Sequence, residues 1–287
     1  MAYAGKYTHD LVSPGAKNQV AVIEKPVLVS SGSESESTGS ATPPVIERNL
    51  SHDEAFVEYW KSALADLNTT PFPPVPQDVQ VVLPDQATKH RLPALGTISG
   101  ATPESIVCAA WALVVGPMIG TQDVLLGIAI SRGSPSDGDD SIATVPFRLL
   151  WSKDQRVDAL LQSVQRRVSE LSQTGFASLA EIAQTCSEAR QACEFQTVLT
   201  MGNSRGLVEQ KNRWPLELGL HLEHGEYVIE AAFNSKVVSA SLVERLLARV
   251  DLIVHQLGAD THRTLDEINP MTNKDLRDIW NWNRSTK

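Results

Sequence analysis

Phe56, Tyr59, Trp60, Ala63, Leu64 and Leu67 recur at steps of three and four, which predicts a helix over residues 51–67 with these side chains on one face. Ser51 offers an N-cap hydroxyl, and Asp53 and Glu54 place carboxylates where the helix dipole favours them. Four prolines between Pro71 and Pro76 then impose an extended, polyproline-like connector. Residues 79–83 read as a short strand, followed by a polar loop. Thr102 and Pro103 open a helix over residues 104–115 in which Ile106, Val107, Ala109, Ala110, Trp111, Leu113 and Val114 leave almost no polar face. Such a helix belongs at the centre of a domain, and Gly116-Pro117 is expected to stop it. The unbroken apolar run over 124–130 predicts a strand covered on both faces. A second strand over 143–150 carries Pro146, which points to an edge or a bulge.

Helical spacing returns in Val157, Leu160, Leu161, Val164, Val168 and Leu171 and is expected to end at Gly175. Ser178 and Glu181 form a capping-box pattern for one further helix, which leads into a strand over 195–201. Residues 216–222 and 227–233 alternate with period two around a polar turn at 223–226 and predict a hairpin, with Leu216, Leu218, Leu220 and Leu222 on one face. Ser241 and Glu244 are expected to cap a helix carrying Leu242, Leu246, Leu247, Val250, Ile253, Val254 and Leu257 and closed by Gly258. A short helix over 274–280 follows a cap at Asn273. Buried runs of parallel type together with an antiparallel hairpin predict a mixed-sheet, layered α/β domain. No internal repeat is visible.

Ahead of this pattern, residues 30–44 are rich in Ser, Glu and Gly, too polar to offset the entropy of ordering them, and read as a linker. Residues 20–29 are apolar, but Pro26 argues against a central strand, leaving a short strand or docking segment on a loosely attached arm. The expected organisation is a flexible arm over 1–50, a folded domain over 51–270 and the start of a linker over 271–287. The chain has 287 residues, 42% of them apolar, enough for a sizeable core. A net charge of −9 without clustered Lys or Arg argues against a nucleic-acid partner. Cys108, Cys186 and Cys193 are odd in number and lack Cys-x-x-Cys spacing, as expected of reduced thiols. The first thirty residues lack a signal-peptide pattern and no run is long enough to span a bilayer, so a soluble cytoplasmic protein without a membrane partner is expected.

Candidate chemistry is sparse. His221 and His224 are close in sequence, but an odd offset on a strand sends them to opposite faces and Gly225 puts His224 in the turn, which disfavours a shared metal. His9, His52, His90, His255 and His262 are isolated, and His255 suits the C-terminal dipole of its helix. Cys108, inside the apolar helix, reads as a packing residue. Asp137, Asp139 and Asp140 lack the glutamate that completes an EF-hand loop. Nucleophile elbows and phosphate-cradling glycine loops are absent. Catalytic, cofactor-binding and metal residues are therefore all assigned as none.

Several segments nevertheless resemble one family. Tyr59-Trp60 with Leu64 is similar to the Tyr-Trp-x-x-x-Leu motif that opens the second lobe of nonribosomal peptide synthetase condensation domains of fungal type. The stretch from Thr102 to Gly133 resembles that family's central helix and strand, with an Ala-Trp-Ala-Leu core ahead of a Gly-x-x-Asp-Val turn. Thr144 to Arg148 resembles its Thr-x-Pro-x-Arg strand, and Phe195 to Leu199 its Phe-x-Thr-Leu-Leu strand. Trp280-Asn281-Trp282-Asn283 resembles the passage from condensation to adenylation domain. The resemblance runs from Ser51 to the end and implies one lobe of a chloramphenicol acetyltransferase-like fold. It also implies amide-bond-forming acyl transfer, catalysed by a His-His-x-x-x-Asp-Gly motif in the other lobe. No two histidines are adjacent here. The expected reading is a truncated, catalytically silent, structural lobe that packs against an adenylation domain. The alternatives are a transferase working in trans with a histidine-bearing lobe, or a docking module for carrier protein. No cofactor is implied beyond the phosphopantetheine arm of a partner carrier protein.

Overall fold

The computed structural model describes residues 54–79, 83–131, 142–173, 177–200 and 214–285. The arm over 1–50 with its 20–29 segment, the Ser51 cap, the loop with Asp137, Asp139 and Asp140, Gly175 and Met201 lie outside them, as do the middle residues of the 79–83 strand. The described strands are β1 (Gln86–Leu92), β2 (Asp123–Ser131), β3 (Ile142–Leu150), β4 (Thr197–Thr200), β5 (Leu216–Glu223) and β6 (Glu226–Phe233). They form one sheet in the order β1-β6-β5-β4-β2-β3. β4 runs parallel to both its neighbours, and every other pairing is antiparallel. The mixed sheet expected from the sequence is thus present, with β3 and its Pro146 on an edge, where a missing N–H costs no ladder bond.

Strand register explains the leucine-rich alternation. Ile128 is level with Leu199, Leu199 with Leu218, and Leu218 with Ala231, so these side chains share one face with Leu216, Leu220, Ile229 and Phe233. All are buried. Leu222, at the strand end, is instead exposed. Above this face lies α2 (Pro103–Ile119), whose residues from Ser105 to Gly116 are all buried, as an all-round apolar helix requires. It is flanked by α3 (Val157–Gln173) and α6 (Ala240–Ala259). Trp111 of α2 meets Phe72 edge-on at 6.2 Å between ring centroids, and the Phe72 carbonyl accepts a 2.7 Å hydrogen bond from the Thr197 hydroxyl. The proline-rich connector after α1 (Glu54–Ala63) is thereby fastened to the sheet.

α1 ends at Ala63 and not at residue 67, β4 begins at Thr197 and not at residue 195, and four further boundaries differ from expectation for local reasons. α2 runs through Gly116-Pro117 to Ile119: Pro117 lies in the last turn, where its missing N–H forfeits a single bond, and Gly120 at φ 73° ends the helix in the left-handed conformation. The single helix expected after Ser178 is two, α4 (Leu179–Ala183) and α5 (Ser187–Ala192), because Cys186 turns extended and its sulfur accepts from the Ala189 N–H. The Ser178–Glu181 capping box on α4 is intact. Ser239, not Ser241, caps α6, and Gly258 sits inside that helix, which ends at Asp260. The last helix, α7 (Asn273–Ser285), is longer than the sequence pattern implied and is capped by Thr272, not Asn273. The Thr272 hydroxyl accepts from the Asp275 N–H, and the Asp275 carboxylate accepts from the Thr272 N–H. Asp275 also accepts from Arg249 of α6 at 3.0 Å, which docks α7.

β1 was not expected. QATKHRL contributes one buried residue, Leu92, so it carries no hydrophobic alternation to read. It pairs along its whole length with β6 as a charged edge strand, a composition that discourages further strand addition.

Candidate functional site

Two motifs that are separate in sequence meet at one buried ion pair. Gly120 ends α2 and the chain turns, with the Thr121 hydroxyl accepting from the Asp123 N–H at 3.0 Å, so that Asp123 opens β2. Arg148 lies near the end of the neighbouring β3, two positions from the residue level with Asp123, and therefore on the same face. Its Nε donates to Asp123 Oδ1 and its Nη2 to Asp123 Oδ2, both at 2.8 Å, a bidentate fork between side chains only 11% and 9% exposed. The guanidinium also donates to the carbonyls of Ala65 and Asp66, just beyond α1. Asp123 accepts in addition from the Asn68 N–H. The Gly-x-x-Asp turn and the Thr-x-Pro-x-Arg strand together hold the end of α1 against the sheet edge. The arrangement is a clamp.

Among the described residues the histidines do not assemble into a catalytic group, and His9 and His52 lie outside them. His221 faces along β5 and bonds Glu223 at 2.8 Å, while His224 occupies the hairpin turn at φ 52°, so the two stay apart as the strand geometry requires. Glu223 also accepts from Lys89 of β1 at 2.7 Å. The Lys89 ammonium, with His221 second, holds the Glu223 carboxyl down at about 2. His90 and His255 lie at 3.3 and 3.2 Å from the two oxygens of Asp251 on α6, a grouping hidden from sequence because β1 was unread. His262 contacts Arg156 and Asp158 at the surface. Among the described residues no group of three His, Cys, Asp or Glu side chains is arranged to hold a metal ion. Burial pushes the Cys108 thiol up to about 12 and the Cys193 thiol up to about 11, so neither is a nucleophile at neutral pH.

Two open clefts are prominent among the described residues. One, of about 640 Å³, lies at the C-terminal end of α2 between Pro117, Trp151, Lys153 and Ile268. The other, of about 820 Å³, lies between α1 and α3 and is lined by Tyr59, Ser62, Arg148, Arg166, Arg167 and Glu170. Neither contains a histidine. No described helix is long and apolar enough to cross a membrane.

No family model matches the chain. It is 33% identical over 253 residues to nonribosomal peptide synthetase dtxS1 of Metarhizium robertsii, a match covering 81% of this chain and 3% of that synthetase. It is 31% identical over 264 residues to peramine synthetase ppzA of Metarhizium rileyi, covering 84% of this chain and 9% of the relative. The chain thus spans a small fraction of these relatives. Among solved structures, the first condensation domain of the calcium-dependent antibiotic synthetase, in complex with a substrate analogue, superposes with a TM-score of 0.58 at 16% identity, over 75% of this chain and 53% of that one. A four-domain nonribosomal peptide synthetase bound to AMP and glycine gives 0.56 at 13% identity, over 81% and 21%. At such identities the likeness is one of fold. With fungal synthetases matched over about four-fifths of its length and condensation domains matched over about half of theirs, the chain belongs with the condensation domains of fungal nonribosomal peptide synthetases and has the fold of one lobe.

Proposed function

We propose that these 287 residues supply the second lobe of a condensation site and form no amide bond unaided. The observation that carries this reading is the His-His pair's absence from a chain whose sheet corresponds to half of a condensation domain. In the family the catalytic imidazole stands in the other lobe, and a positioned base contributes about 10²–10⁴ in rate. The clamp between Asp123 and Arg148 supports a scaffolding role, since it spends both charged groups on holding α1. The role is structural: the lobe packs against neighbouring synthetase domains, an adenylation domain or a carrier protein, in the cytosol, where three unpaired thiols are at home. α7 suits such packing, because Leu276, Ile279, Trp280 and Trp282 are exposed along it.

The test is complementation. The chain, a separately expressed histidine-bearing first lobe and carrier proteins loaded with aminoacyl thioesters are combined singly and together, and dipeptidyl product is followed by mass spectrometry. No product from the chain alone is expected. Product from the mixture would show a transferase acting in trans, and product from the chain alone would overturn the proposal.

A further inference from the structure

We draw no further inference here: the strongest candidate, the exposed apolar face of α7 formed by Leu276, Ile279 and Trp280, carries nothing beyond the domain packing already proposed for it, because nothing among the described residues shows what covers it.

Discussion

Removing the Arg148 guanidinium is the sharpest test of how the lobe is held together. In Arg148→Met, the Asp123 carboxylate, only 9% exposed, loses both forked bonds and retains the one from the Asn68 N–H. Breaking a buried pair from one side costs about 3–5 kcal/mol. At about 2–4 °C per kcal/mol for a domain of this size, the melting temperature falls by about 6–20 °C. Asp123→Leu strands the guanidinium, although the Ala65 and Asp66 carbonyls still accept from it, so its cost lies toward the lower end. The double variant removes both charges and loses mainly the bonds that fix the end of α1, about 1–3 kcal/mol. Urea denaturation of the four proteins closes a double-mutant cycle with a coupling of about 2 kcal/mol or more. Single effects that add to within about 0.5 kcal/mol would refute the clamp as one unit.

Gly127→Ala is expected to destabilise by about 1–3 kcal/mol through overpacking, because a Cβ there would meet the Phe195 ring at 2.3 Å; Phe195→Leu in the same chain should restore part of the loss in the same denaturation assay. The Asp275 carboxyl lies at about 2 because hydrogen bonds from Arg249 and Thr272 outweigh its burial, which acts in the other direction. Its folded value is below its ordinary 3.8, so its contribution is complete above that value and is lost as pH falls toward 2. Amide exchange in α7 should therefore quicken over that range, and a flat exchange rate would count against the docking role. Lys89→Met should return the Glu223 carboxyl from about 2 toward its ordinary 4.5 in a carbon-detected NMR titration. Thiol labelling of the native chain should spare Cys108, which is wholly buried, until denaturant is added.

The parts of the fold legible in the sequence were those whose side chains are sorted by water. α2 and β2 are buried on all sides and therefore read as unbroken apolar runs, while the leucines of β5 and the face of α6 announce themselves by period. β1 has no such signature, since its place comes from backbone pairing to β6 and from Lys89 and Arg91 reaching Glu223 and Glu226. Helix ends were misplaced where alternative caps lay two residues apart, as with Ser239 and Ser241. The clamp was present in the sequence as two recognisable motifs, but nothing in their spacing required Asp123 to meet Arg148. Arg167 was more obscure still. On α3 it reads as one more charge on a solvated face, and only the structure shows its guanidinium lying over the Phe147 ring.

As one of two lobes the 287-residue protein should bind the other, and sedimentation with a separately expressed histidine-bearing first lobe tests that most directly. A saturable one-to-one complex is predicted. Two species that sediment independently at concentrations where both are folded would contradict it.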